Sequence, residues 1–477
     1  MELRDYAAQD AVGLADLVRN GEVSAGEVDD AARRAIESVD SELNATVGDL
    51  YEQTFDASPD GPFGGVPFAL KEVAPHAEGQ RTQLGSRLAG EGVVGPADTH
   101  LMTRFRAAGL GVLGRTRSPE FAFNATTEPL AHGPTRSPWD LERSVGGSSG
   151  GAGALVAARA LPIAHATDGG GSIRIPASLC GLVGLKPTRS RIPVGPGQWE
   201  NLHGMGHDFV LCRTLRDCAT ALDALHGPAP GDKYEIVEPA RPYIEELSAD
   251  AGHVRIATTV TTWSGEPVEE ECRAAVAAVA SVLSDLGHDV SDGSPAIDND
   301  VLTDALITTW AAGMAQRTAV AERALGVKVG PDTVEACSLA MLRHGAGLSG
   351  IDLLDGFAKC NAVGRVIGSF FETTDVLLLP AVGRVPWKLG ELNQHDASLD
   401  HVGWVRKLFD RYSPFTAMFN ITGQPGISLP LAWTDDGLPI GVQLVGRYGD
   451  EATLLRLAVQ LERAFPWADR VPGVSVG

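Results

Sequence analysis

Apolar and polar positions recur on two periods along this chain. Residues 24–39, SAGEVDDAARRAIESV, open on Ser24 with Glu27 three positions later. Apolar residues then follow at helical spacing, which predicts a capped helix. A Pro/Gly stretch, ASPDGPFGG, leads into the unbroken apolar run VPFAL, which predicts a buried strand delivering Lys71 at its tip. Beyond it LMTRFRAAGL, GVLGRT, GAGALVAARA and LPIAHAT alternate helical and strand patterns. HVRIATTV and DVLLLPAV predict two further buried strands, with a mostly helical region at about 266–372 between them. GISLPLAW and PIGVQLVG return to a β pattern, and DEATLLRLAVQLERAF ends the pattern as a helix.

Strands that alternate with helices predict an α/β fold, here a large mixed, mostly parallel twisted sheet covered by helices on both faces. There is no internal repeat, and no linker is long or polar enough to mark a boundary. Residues 1–477 therefore read as one domain.

Composition narrows the partners. A net charge of -22 repels nucleic acid and anionic membrane, so neither is expected as a partner. The opening MELRDYAAQD lacks an apolar signal-peptide core, and no run approaches the ~18 apolar residues of a membrane span. The six cysteines show no C-x-x-C pair. They read as reduced thiols, which with the missing signal sequence predicts a cytoplasmic location.

Two glycine-rich serine segments carry the candidate chemistry: RSVGGSSGGAGALVAARA (143–160) and ATDGGGSIRIPAS (166–178). Both lie within strand and helix patterns, where glycines mark the close approach of a ligand or another backbone. A phosphate cradle would need G-x-x-x-x-G-K-[ST] or G-x-G-x-x-G after a strand, and neither occurs. GGSSG matches a G-x-S-x-G nucleophile elbow, but SPWDLERSV before it is too polar for the buried strand such an elbow requires. Acyl transfer accounts for the triple glycine. An oxyanion needs bare backbone N–H donors, and side chains at 169–171 would bar the carbonyl from them. Ser172 then sits where a nucleophile belongs, and Lys71 is a candidate base if burial lowers its pKa.

The segments GGVPFALKE, RSVGGSSGG, TDGGGSIRIPASLCGLVGLKPTR and GQPGISLP…GLPIGVQLVGR resemble, in that order, the amidase signature family of serine hydrolases. The resemblance spans nearly the whole chain. It implies the amidase signature fold as a single domain, with a core at about 60–220, a variable pocket region at about 230–372 and a return to the sheet at about 373–470. It also implies a Ser–cisSer–Lys triad of Ser172 (nucleophile), Ser148 (relay through a cis peptide) and Lys71 (base). The oxyanion hole would be the nitrogens of Gly169, Gly170, Gly171 and Ser172. Ser149, Asp168 and Arg174 would form the supporting shell. Where this chain has Gly169 the family usually has a larger residue, so either a more mobile first oxyanion donor or a more open pocket there is expected. NATTEP, RSVGGSSGG and SIRIPAS look most like the 6-aminohexanoate cyclic-dimer hydrolase type and related aryl or aliphatic amidases.

The implied activity is hydrolysis of a small-molecule carboxamide by a monomer or homodimer without cofactor or metal. The alternatives are an amidotransferase subunit that supplies ammonia to a partner, as in glutamyl-tRNA amidotransferase, and an aryl ester, urethane or hydrazide hydrolase on the same triad. A catalytically silent binding protein is disfavoured because all three triad positions are filled. HGMGH spaces His203 and His207 as a helix-borne metal pair would, but glycines interrupt it and no Glu ligand is near. Phe123, Asn124, Trp199 and His203 are expected to line the substrate pocket, with Phe121 and Trp310 as further candidates.

Overall fold

A computed structural model describes residues 1–477. In chain order its strands are β1 (Val66–Lys71), β2 (Arg81–Thr82), β3 (Val93–Val94), β4 (Leu110–Thr116), β5 (Ile163–Asp168), β6 (Val183–Lys186), β7 (His207–Cys212), β8 (Arg255–Thr258), β9 (Asp289–Asp292), β10 (Val376–Pro380), β11 (Gly426–Trp433) and β12 (Pro439–Gly446). Eight of them form one sheet in the order β5-β7-β6-β11-β12-β10-β8-β9. β1 and β4 pair in parallel beside it, and β2 and β3 make a short separate ribbon.

The sheet is mixed, as expected, but it is not mostly parallel. Every pairing from β5 across to β10 is antiparallel. Only β10–β8 and β8–β9 are parallel. The physical reason is that β5, β6, β7 and β10 are buried along their whole length, and burial on both faces leaves no in–out alternation from which a strand's direction could be read. The connections decide it. β11 and β12 are joined by a tight turn closed from Thr434 to Leu438, which only an antiparallel hairpin permits. β8 instead crosses to β9 through the helix Glu270–Asp285, the route a parallel pair requires.

The helices fall where periodicity placed them. Helix Ala25–Leu43 begins on the predicted capping box: Ser24 Oγ accepts from Glu27 N at 3.2 Å, and Glu27 Oε2 accepts from Ser24 N at 2.9 Å. The region between β9 and β10 is built of the helices Asn299–Leu325, Ala336–Gly347 and Gly350–Thr373.

Helix Gly150–Ala157 is different in kind, because every residue in it is buried. It has room only for glycine, alanine and a few aliphatic side chains. A Cβ at Gly151 would lie 2.4 Å from Ala45 O, and one at Gly153 would lie 3.1 Å from Cys180 Sγ. The glycines thus let this helix pass close to helix Arg174–Cys180, which brings the two serine segments side by side.

Candidate active site

β1 ends on Lys71, whose side chain is fully buried. Its Nζ lies 2.7 Å from Ser148 Oγ, 2.9 Å from Ser149 Oγ and 2.8 Å from Thr167 Oγ1. The amine is therefore ringed by hydroxyls. Burial pushes its pKa down to about 7, against the opposing pull of Asp208, Asp168 and Glu72. At neutral pH a large fraction is uncharged, with a lone pair that can accept a proton. Ser149 Oγ donates to Thr167 O at 3.2 Å, so its proton is already committed. That leaves the hydroxyls of Ser148 and Thr167 to face the lone pair. The Gly147–Ser148 peptide is cis, as the family resemblance implies.

Ser172 follows the triple glycine at the end of β5. It is 7% exposed and faces a cavity of about 220 Å³. Its hydroxyl bonds to no protein group here, so the contact with Ser148 is not made in this structure.

Asp168 fixes the loop between β5 and Ser172. Its Oδ1 accepts from Gly171 N at 2.7 Å, Arg174 Nη2 at 2.9 Å and Asn420 Nδ2 at 2.8 Å. Its Oδ2 accepts from Ile173 N at 3.1 Å and Arg174 Nε at 3.0 Å. Burial alone would raise this carboxyl, but the charge and hydrogen bonds of Arg174, then Lys186 and Asn420, hold it well below the usual range. Arg174 in turn donates to Gln443 Oε1 at 2.8 Å.

One expected donor is thereby removed. The Gly171 amide donates to Asp168, so the four nitrogens from Gly169 to Ser172 are not all free. The amides of Gly169, Gly170 and Ser172 donate to no protein group and remain available. Gly171 is needed for another reason: its φ is +132°, and a Cβ there would lie 2.5 Å from Thr416 Oγ1. At Gly170 a Cβ would lie 2.8 Å from the Phe409 ring, and at Gly169 it would lie 2.8 Å from Leu202 Cδ1.

The cavity walls include Asn124, Trp310 and Phe409 beside Ser172. Trp310 and Phe409 meet edge to face with ring centroids 5.6 Å apart. Asn124 turns its amide to Leu392 O, donating at 3.0 Å. Phe123 stands one layer back, packed on Trp310 at 5.0 Å. Trp199 and His203 do not reach this cavity. Trp199 is 72% exposed and lines a separate polar cavity of about 480 Å³. His203 packs edge-on against Phe357. His207 lies on β7, not on a helix, and no group of His, Cys, Asp and Glu side chains has the arrangement of a metal site.

Thr167, Asn420, Thr416 and Gln443 complete the site and were not picked out from sequence. Thr167 stands directly before the Asp168 of the glycine motif, and its alternation with His165 along β5 marks a shared face. Asn420 is a lone polar residue in the apolar run AMFNI, just ahead of GQPGISLP.

Known proteins share this architecture. The family model described as Amidase matches residues 25–455. The 6-aminohexanoate-cyclic-dimer hydrolase of Pseudomonas sp. (strain NK87) is 38% identical, over 97% of this chain and 96% of that protein. A solved structure of a 6-aminohexanoate cyclic dimer hydrolase with substrate superposes at a TM-score of 0.92 with 37% identity, covering 98% of this chain and 99% of that one. A bacterial aryl acylamidase of the amidase signature enzymes superposes at 0.84 with 25% identity, covering 97% of each chain. Matches of this extent, on a fold and a serine–glycine loop built as described, show that the chain belongs to the amidase family.

Proposed function

We propose that this hydrolase of carbon–nitrogen bonds cleaves a non-peptide carboxamide, linear or cyclic, through a seryl acyl-enzyme, with Ser172 as nucleophile, Ser148 as relay and Lys71 as base. The observation that carries this reading is the buried Lys71 amine, bonded only by hydroxyls, one of which is Ser148 at 2.7 Å. The uncharged amine takes a proton from Ser148 as Ser148 takes one from Ser172. The freed oxygen attacks the carbonyl, and the contact between the two serines closes as substrate binds, since catalytic hydrogen bonds tighten in the reacting complex.

Charge then develops on the carbonyl oxygen within reach of the amides of Gly169, Gly170 and Ser172. One such donor is worth about 3 kcal/mol of barrier. The relay runs backwards to protonate the leaving amine, and water hydrolyses the acyl-enzyme by the same path. A cyclic or linear aliphatic amide is supported by the apolar walls of the cavity and by the cyclic-dimer hydrolases among the relatives. A cytoplasmic location is supported by the six unpaired cysteines.

The test is fluorophosphonate labelling with mass mapping, together with a panel of linear and cyclic amides. Wild type should label at Ser172, and Ser172→Ala should neither label nor turn over any amide. Labelling at another residue would overturn the assignment.

A further inference from the structure

The Lys71 main chain is held by a buried pair that the proton relay does not use. The Lys71 N–H donates to His165 Nδ1 at 3.2 Å, and His165 Nε2 lies 3.3 Å from Asp208 Oδ1. His165 is fully buried on β5, and Asp208, beside it on β7, is 7% exposed. An Nδ1 that accepts from a backbone amide has no proton of its own, so the ring is neutral and its single proton sits on Nε2, directed at Asp208. Burial, which pushes the imidazole below its usual range, agrees with that tautomer. Asp208 Oδ2 receives Asn201 Nδ2 at 3.4 Å, and the residue borders the separate polar cavity.

We propose that His165 and Asp208 are positioning residues for the base: His165 fixes the strand tip that carries Lys71, and the Asp208 charge behind it sets how readily the amine is freed of its proton. This rests on Lys71 acting as the base. β1 and β5 are not joined in one sheet, and this side-chain bond fastens the Lys71 amide to β5 in place of a backbone pairing.

The charged and titratable groups around Lys71 come from each neighbouring element. They are His165 and Asp168 on β5, Asp208 on β7, Glu72 next in the chain, and Arg115 on β4, whose guanidinium donates to Lys71 O at 3.0 Å. Asp208 exerts the largest of the carboxylate pulls that favour the charged amine. Removing its charge must therefore make the ammonium easier to deprotonate.

The experiment is the second-order rate of Ser172 labelling by a fluorophosphonate between about pH 5 and 9, which requires no knowledge of the substrate. Asp208→Asn should move the acid limb down by about one pH unit, the scale of one neighbouring charge. At pH 6 it should therefore retain several times more of its own plateau rate than wild type does. His165→Asn, which keeps an acceptor for the Lys71 amide, should retain a higher plateau rate than His165→Leu. An unmoved limb in Asp208→Asn overturns the proposal, as does equal labelling by the two His165 variants. Should Asp208→Asn not fold, Asp208→Ser carries the same expectation, and failure of both to fold assigns the pair a purely structural role and also overturns it. Lys71→Met separates this from the proposed function. If that variant labels at the wild-type rate both readings fall, whereas if it is inert and the Asp208→Asn limb stays put only the present one falls.

Discussion

Replacing Lys71 with methionine should abolish amide hydrolysis and, at neutral pH, leave the protein more stable. The lysine is fully buried, and its pKa is pushed from 10.5 to about 7 by that burial. The difference corresponds to about 5 kcal/mol between the charged and uncharged forms, of which about 4 kcal/mol burdens the folded state at pH 7. Methionine fills a similar volume without that burden, but it forfeits three hydrogen bonds to hydroxyls, at about 1 kcal/mol each. The balance favours the variant by about 1 kcal/mol at pH 7.

The sign fixes the pH dependence. Between about pH 7 and 10.5 the unfolded lysine holds a proton that the folded one has lost, so wild-type stability rises with pH relative to the variant. From pH 7 to 9 that gain is about 2 kcal/mol, enough to reverse the order of the two proteins. Urea unfolding of both proteins at pH 7, 8 and 9 measures it. The wild-type kcat/KM should fall about tenfold per pH unit below pH 7, as the base becomes protonated. A stability difference that stays constant with pH would mean that the lysine keeps its charge when folded, and the neutral-base argument would fail.

Two further outcomes follow from the Asp168 loop. Asp168→Ala strands the Arg174 guanidinium in the interior and frees the Gly171 and Ile173 amides, so it should cost about 3–5 kcal/mol, read by thermal or urea unfolding. Gly171→Ala puts a methyl at φ +132° against Thr416 Oγ1, which donates to Gly170 O at 2.6 Å. The displaced loop should lower kcat roughly 100-fold, the scale of one lost oxyanion donor, and a variant with full activity would show that the turn tolerates a side chain.

Legibility in the sequence followed the range of the interactions. Lys71 at a strand tip, the serines and the glycine loop were readable because each lies inside a local pattern of period two or a short motif. Strand direction was not, since an apolar run buried on both faces reads alike in either sense and the turn at Thr434–Leu438 decides it. Asn420, Thr416 and Gln443 were hidden because they meet the loop about 250 residues away in sequence, through bonds such as Asn420 Nδ2 to Asp168 O at 2.8 Å (|i−j| = 252). The spent Gly171 amide was hidden for a different reason. A run of three glycines looks uniform, and only the Asp168 carboxylate distinguishes one amide from its neighbours. Trp199 and His203 were misplaced because they follow the motif in sequence, while their chain segment turns away to a second cavity.

The pleat of β5 explains how one strand supports two opposite electrostatic demands. Side chains alternate between the faces of a strand, so His165 and Thr167 share one side and Asp168 takes the other. On the first side Thr167 Oγ1 and His165 Nδ1 meet Lys71, and no carboxylate bonds the amine. On the second side Asp168 meets Arg174, and the two charges satisfy each other in the interior. Had Asp168 stood one position earlier, its charge would have faced the amine and held it as ammonium, which cannot accept a proton from Ser148. The one-residue offset leaves the Lys71 amine without a carboxylate contact while the loop beside it is fixed by a full ion pair. The alternation of His165, Thr167 and Asp168 is thus as much a part of the chemistry as the three glycines that follow it.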